Sequence, residues 1–354
     1  MTKICFVIPS LGSGGAERVF SEIISHLDKD KYQVHLLLLL SKGIHYEKVK
    51  NENITVECLG GSRLLSINLI WRFVSYLSKH NFDVVMSTLM QLNLLISLFK
   101  PFYRKSNLIA REANIPSIYL SQKSYGKIFS CMYRHAMSQF DAIVCQSNNM
   151  RDDLINNFSI RNNIIVINNP APITSLEKVH KKHQTNKFVV VSRLSKQKGI
   201  DRLIRMASRC NTSFEIDIFG EGEDKEYIET LIDEHKLKSK IKLKGVHSDI
   251  LSQLVNYDCF LLASYFEGFP NALLEAQTVG LPGITFNISG GIDEIIDSQS
   301  MGCVCNSEDE FIKAMSSFDV KSYNSYLIRE RTNEKFGYYK IMRKYEDCID
   351  GKII

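Results

Sequence analysis

Two glutamates, Glu267 and Glu275, stand with seven residues between them in the stretch EGFPNALLEA, and two cations, Arg193 and Lys198, share the stretch VVVSRLSKQKGI. A guanidinium and an ammonium at the carboxyl end of a strand suit a diphosphate, the first as a planar fork and the second as a mobile point charge. Glu267, left in a loop, can reach a sugar, while Glu275, one turn inside the following helix, can accept from ribose hydroxyls. Pro270 stands where a helix takes its N1 proline, so backbone N–H groups near Asn271 and Ala272 point at an anion, helped by the helix dipole. Basic loops and glutamate pairs are also ordinary solvated surface, so spacing alone leaves both readings open.

Two glycine-rich turns accompany these residues. In IFGEGE, Gly220 and Gly222 let a base or sugar lie against a strand end. In PSLGSGGAER, Gly14 and Gly15 open a helix directly after the first strand and let a ligand approach its N-terminus, although a plain structural turn reads the same way. This second turn is not a dinucleotide fingerprint: Glu17 stands where the third glycine belongs, and the next apolar run, LLLLLSKG, ends without an acid.

The elements that position these residues emerge from the alternation of short apolar runs with helix-length amphipathic segments, which predicts βα units and parallel sheets. Strands are expected over residues 4–9, 32–40, 54–59, 84–87, 108–110, 142–145 and 164–167, with helices over 15–27, 68–80, 121–138 and 149–157. The breaker cluster NNPAP and a polar stretch then interrupt the pattern. It restarts with strands over 188–191, 213–219, 241–244, 259–263 and 283–286 and helices over 200–208, 225–235, 250–256 and 271–279. The division is an N-terminal domain over 1–172, a linker over 173–187, a C-terminal domain over 188–333 and a helix over 334–354 that packs back on the N-terminal domain. The fold class is α/β, with two Rossmann-like doubly wound domains.

Composition bounds the rest. A chain of 354 residues with 44% hydrophobic and 23% charged residues is long enough for two ordinary globular domains. The nine cysteines are scattered through apolar segments, and Cys303 and Cys305 form only C-x-C, so reduced thiols of a cytoplasmic protein are expected. No signal-peptide pattern opens the sequence, and the run over 34–40 falls short of the roughly 20 residues of a spanning helix. Between residues 84 and 140, Lys100, Arg104, Lys105, Arg111, Lys123, Lys127 and Arg134 face a single acid, Glu112. This is either a solvated basic face or a contact with anionic lipid or a phosphorylated substrate; the apolar run over 94–105 reads as an interfacial helix.

Taken together, EGFPNALLEA, the Arg193–Lys198 loop, the Gly220-Glu221-Gly222 turn and Gly14-Gly15-Ala16-Glu17 resemble glycosyltransferase family 4, whose members are retaining enzymes of the B-type, twin-Rossmann fold. The resemblance implies a diphosphate-binding pair in Arg193 and Lys198, a ribose-binding Glu275, and a Glu267 close to the transferred sugar. It implies donor contacts from Gly14, Gly15, Gly220, Gly222, Phe269, Asn271 and Ala272, and an acceptor-facing Arg111-Glu112. The expected catalytic set is Glu267, Arg193 and Lys198. The chain departs from relatives at Asp293, where they more often carry proline.

By the same resemblance the chain is expected to be a hexosyltransferase that takes a UDP-sugar and needs no cofactor and no metal. Its acceptor would be a polyprenyl-diphosphate-linked glycan in O-antigen or capsule synthesis. The expected partners are this donor, this acceptor and an anionic membrane surface, with no nucleic acid, and the expected location is cytoplasmic and peripheral on the inner face of the cell membrane. The rival readings are a non-catalytic nucleotide-sugar-binding protein and a nicotinamide-dependent oxidoreductase; the broken glycine fingerprint speaks against the second.

Overall fold

Runs such as ICFVI and VVMST carry apolar side chains toward both faces, and a strand of that kind is stable only inside a parallel sheet. The computed structural model describes all residues but 13, 42, 44, 51–52, 62–65, 122–125, 162, 179–184 and 354; the side chains of Lys48 and of residues 126–128 are also outside the described set. Two units form, Met1–Pro170 with Tyr339–Ile354, and Ala171–Tyr338.

The first unit holds seven parallel strands, β1 (Thr2–Ile8), β2 (Tyr32–Leu38), β3 (Thr55–Cys58), β4 (Val84–Thr88), β5 (Asn107–Arg111), β6 (Ala142–Cys145) and β7 (Ile164–Val166). Their order is β3-β2-β1-β4-β5-β6-β7. The second holds six, β8 (Asn186–Val191), β9 (Phe214–Phe219), β10 (Ile241–Gly245), β11 (Cys259–Leu262), β12 (Gly283–Phe286) and β13 (Gly302–Cys305), ordered β10-β9-β8-β11-β12-β13. Both sheets wind the same way. The chain leaves the first strand toward one edge, then returns to that strand's other side, so β4 lies beside β1 and β11 beside β8. Each sheet therefore has one topological switch point, where the loops after two neighbouring strands diverge and leave a crevice. The fold is the doubly wound α/β architecture read from the sequence.

Several boundaries differ from the expected ones. The run over 94–105 is not one interfacial helix: a helix over Met90–Leu98 buries Leu92, Leu95 and Ile96, and a single 3₁₀ turn, Lys100–Phe102, comes after it. Pro101 in that turn cannot continue an α-helix. The stretch over 121–138 divides into helices Pro116–Ser121 and Gly126–Met137. Strand β13 and the helix Glu308–Ser316 were not read from the sequence. Part of the expected linker is packed: Lys178, almost fully buried, donates its backbone N–H to Val279 O (2.8 Å) and sets its ammonium 3.7 Å from the Asp258 carboxylate. The expected tail helix is two helices, Ser325–Phe336 and Tyr338–Ile349, separated where Gly337 turns to extended backbone.

The last of these helices is tied into the first unit through a buried polar network. Arg111, fully buried at the end of β5, donates from Nε to the Tyr345 hydroxyl (2.9 Å) and from Nη2 to Asn169 Oδ1 (2.6 Å). Asn169 Nδ2 donates to Gln146 Oε1 (2.9 Å), and Gln146 Nε2 to the Glu112 carbonyl (2.7 Å). Asn93 Nδ2 donates to Glu112 Oε1 (2.9 Å) and accepts on Oδ1 from Ser87 Oγ (2.7 Å). At the helix end, Asp350 accepts from Tyr32 (2.8 Å) and Lys31 (2.6 Å). Arg111 and Glu112, expected to face the acceptor, are both buried here, with Arg111 Nε and Nη2 and Glu112 Oε1 hydrogen-bonded to other residues of the unit, as buried charged groups require.

Burial pushes the Glu112 carboxyl up to about 7, against the opposing pull of the Asn93 hydrogen bond and the Arg111 charge. The folded protein thus keeps a proton that the unfolded chain releases near 4.5. The associated stability is present in full below that pH and is lost as pH rises through about 7. Glu112→Gln should be more stable than the wild type at pH 8 by on the order of 2–3 kcal/mol and differ little at pH 5. Urea denaturation at the two pH values checks this; an identical pH response in both proteins would show that the carboxyl ionises without penalty.

Candidate functional site

The crevice between β8 and β11 is where the chemistry-bearing residues of the second unit gather. After β8 the chain runs through exposed Arg193 into a 3₁₀ turn, Lys196–Lys198, and the helix Ile200–Ser208. After β11 it runs through Ser264 to Glu267. The two loops meet side chain to side chain: Lys198 Nζ lies 2.8 Å from both Glu267 oxygens, and Ser264 Oγ donates to Glu267 Oε1 at 2.6 Å. Glu267 is 6% exposed, so this carboxylate is held by charge-assisted bonds in a partly desolvated place rather than waving in solvent. Lys198 is accordingly not a free point charge. Removing either partner of such a pair strands the other, a change that costs roughly 3–5 kcal/mol where burial is deep.

Gly220 and Gly222 meet a requirement of the protein's own backbone. A Cβ on Gly220 (φ +135°) would sit 1.9 Å from the Ser192 carbonyl oxygen, and one on Gly222 would sit 2.1 Å from that of Leu194. These glycines admit protein backbone where a side chain would stand. Leu194 N–H donates to Glu221 O (2.9 Å) and Asp224 N–H to Leu194 O (3.1 Å), so the turn after β9 grips the loop that presents Arg193.

The helix Asn271–Thr278 begins one residue later than a first-turn Pro270 requires: Pro270 is its cap, accepting from Leu273 and Leu274 N–H (both 3.1 Å). The Asn271 N–H is spent on the Phe269 carbonyl (2.9 Å) and so is not directed at an anion. Ala272 lies half-buried in the first turn, and Glu275 lies one turn inside, 7% exposed. Phe269 is a core residue, its ring edge-on to Phe336 at 5.8 Å. Its ring therefore faces the core; an aromatic flanked by Gly268 and Pro270 gives no sequence signal of which way it turns. Asp293, in place of the relatives' proline, falls in the first turn of a short helix, Ile292–Ile295, capped by Gly291 in the left-handed region.

In the first unit Gly14 caps the helix Gly15–His26 after β1, and its carbonyl accepts from Arg18 N–H (3.1 Å). This turn lies at the β1/β4 switch point. Leu89, after β4, holds φ +78°, a strained value for a branched side chain. Of the seven basic residues over 84–140, Arg111 is buried, and Lys100 donates to the Gln139 carbonyl and lies 3.8 Å from Asp141. Arg104, Lys105 and Arg134 are exposed. Lys123 and the Lys127 side chain lie outside the described residues. Sequence reasoning missed Ser264, which orients Glu267; its only signal was a hydroxyl three residues before the glutamate.

Comparison with known proteins agrees with this geometry. Residues 13–174 match the model described as Glycosyltransferase Family 4, and residues 173–324 match Glycosyl transferases group 1. The chain is 28% identical, over 97% of its length and 98% of the relative's, to N-acetylgalactosamine-N,N'-diacetylbacillosaminyl-diphospho-undecaprenol 4-alpha-N-acetylgalactosaminyltransferase of Campylobacter jejuni. It is 25% identical, over 84% of each chain, to the amylovoran biosynthesis glycosyltransferase AmsD of Erwinia amylovora. In fold it resembles Anabaena HepE solved with UDP and glucose (TM-score 0.83, 17% identity, 99% of this chain and 100% of that one). It also resembles the lipopolysaccharide outer core galactosyltransferase WaaB (TM-score 0.79, 21% identity, 99% and 100%). With family 4 and group 1 models matching its successive halves and two doubly wound units carrying them, the chain belongs to the glycosyltransferases of the B-type, twin-Rossmann fold.

Proposed function

We propose that this hexosyltransferase moves a hexose or N-acetylhexosamine from a UDP-sugar, with retention, onto a polyprenyl-diphosphate-linked glycan during bacterial O-antigen or capsule synthesis. One observation carries the donor half of this reading: Lys198 and Glu267 converge across the β8/β11 switch point, the crevice where doubly wound sheets take nucleotides. The acceptor half draws on the Campylobacter jejuni relative, whose substrate is an undecaprenol-diphosphate glycan.

Arg193 and Lys198 stabilise charge growing on the departing diphosphate. The acceptor oxygen bonds to C1 as the bond from C1 to the diphosphate oxygen breaks, and the acceptor proton passes to that leaving oxygen. Glu267 orients the sugar and the Lys198 ammonium rather than attacking, and Glu275 accepts from the ribose. With two cations meeting the diphosphate, the reaction proceeds without a metal. Purified protein incubated with labelled nucleotide sugars and a bacterial lipid extract should transfer label from a UDP-sugar to lipid, undiminished by excess EDTA. Transfer from GDP-sugars alone, or activity restored to the chelated enzyme only by magnesium or manganese, would overturn the donor or the metal assignment.

Mutations separate the roles. Arg193→Ala or Lys198→Ala should lower turnover by roughly 100-fold, the scale of losing one transition-state donor. Glu275→Ala should weaken UDP binding in calorimetry, whereas Glu267→Ala should leave it nearly intact and reduce turnover. The reverse pattern would exchange the two glutamates.

A peripheral site on the cytoplasmic face of the membrane fits the proposed acceptor. Among the described residues no helix is long and apolar enough to cross a membrane. The first unit exposes Trp71, Leu98 and Phe102 alongside Arg72, Arg104 and Lys105, a mixture that suits an anionic bilayer. The protein should sediment with anionic but not zwitterionic vesicles and be released by roughly 0.5 M salt, where the screening length falls below about 5 Å. Equal sedimentation with both vesicle types, or with neither, would remove the anionic surface as a partner.

A further inference from the structure

We propose that Arg202 is a positioning residue for the transfer step, holding the loop that carries Glu267 in register with Lys198. The assignment rests on the proposed glycosyltransferase chemistry and adds a residue that touches neither donor nor acceptor. Arg202 lies in the first turn of the helix Ile200–Ser208, four residues past Lys198. Its Nε donates to the Ala263 carbonyl at 2.6 Å, and its Nη2 donates to the carbonyl of Ser264. The guanidinium carbon lies 3.8 Å from the centroid of the Phe286 ring and 4.3 Å from that of Tyr265. One planar cation thus satisfies two successive carbonyls just past β11 and stacks on aromatic rings from the loop after β11 and from β12. Only a guanidinium has that shape; an ammonium of similar reach offers neither the fork nor the flat face.

The surroundings give the contact a direction. Gly199, at φ +62°, comes so close to the same strand end that a Cβ there would lie 2.0 Å from the Ala263 oxygen. Tyr265 N–H donates to Gln197 O (2.9 Å), and Gln197 Nε2 donates to Phe266 O (3.0 Å). The loops over 197–202 and 263–267 are therefore laced along their length, with Lys198 and Glu267 as the last rung. Ser264 is the link between Arg202 and the chemistry: its carbonyl accepts from Arg202, and its hydroxyl donates to Glu267 Oε1. Without the guanidinium, two carbonyls beside the strand end lose their donors, and the Ser264–Glu267 segment is free to shift. A shift of about 1 Å in a group that orients the reacting centre is enough to cost up to roughly 100-fold in rate.

The test compares Arg202→Ala and Arg202→Lys with the wild type, well below their melting temperatures, and then repeats Arg202→Ala in a Glu267→Gln background. Both single variants should lose roughly 10- to 100-fold in kcat, while UDP affinity by calorimetry changes by less than about 2-fold, since Glu275 and Arg193 are untouched. In the Glu267→Gln protein the same Arg202→Ala change should cost less than about 2-fold, because the group it positions is already gone. Ser264→Ala, which leaves the guanidinium in place, should reproduce part of the kcat loss. Wild-type kcat in Arg202→Lys, or an equal loss from Arg202→Ala in both backgrounds, would overturn the proposal. Failure of the underlying glycosyltransferase chemistry looks different: the wild type itself would then turn over no nucleotide sugar.

Discussion

The ion pair between Lys198 and Glu267 can form only because β8 and β11 are neighbours, although 69 residues separate the two side chains. Two complete βα excursions, to β9 and β10, lie between them in the chain. The return across the first strand brings a lysine and a glutamate to the same edge of the sheet, at the carboxyl ends of parallel strands. Everything around the pair serves that meeting. The turn after β9 clamps the backbone that presents Arg193, the Gly199 and Arg202 contacts dock the start of the next helix on the end of β11, and Ser264 fixes the carboxylate.

Pairing these two groups also shapes the electrostatics of the crevice. A lysine and a glutamate at 2.8 Å cancel at a distance, which leaves exposed Arg193 and Lys196 as the cations this loop presents outward. In the proposed reaction an arriving diphosphate meets the Arg193 fork and shares Lys198 with Glu267. The glutamate is then coupled to the charge on the leaving group: electron density arriving on the diphosphate draws the ammonium, and the ammonium is held by the carboxylate that orients the sugar. Preorganised charges of this kind stabilise a transition state without having to reorganise when it forms.

The first unit uses its polar residues differently. Arg111, Glu112, Asn93, Asn169 and Gln146 form a continuous buried network that ends on Tyr345 of the last helix. This is the means by which a chain that has already passed through the second unit closes its final helix on the first. The cost is a carboxyl confined in a place that disfavours its charge, offset in part by the hydrogen bond it takes from Asn93.

Local sequence was enough to establish the doubly wound class, twelve of the thirteen strands to within a few residues, and the residues that meet at the second unit's switch point. Apolar runs of strand length, breaker residues and a loop after each strand report on their own backbone. The family was legible for the same reason, since its motifs lie in those loops. Tertiary structure alone settled the fates of residues whose roles depend on what lies across from them. Arg111 and Glu112 read as charged groups beside a cleft until a helix more than 200 residues later in the chain arrives to bury one of them. That Gly220 and Gly222 must be glycine because the backbone of Ser192 and Leu194 lies where a Cβ would stand, and that the Phe269 ring packs on Phe336, are likewise seen only in the fold. Arg202 carried no signal at all, since an arginine in the first turn of an amphipathic helix is ordinary surface until two carbonyls and two rings are brought beneath it. In each case the deciding partner is distant in sequence, and its approach is set by sheet order and loop path, which no spacing within one segment encodes.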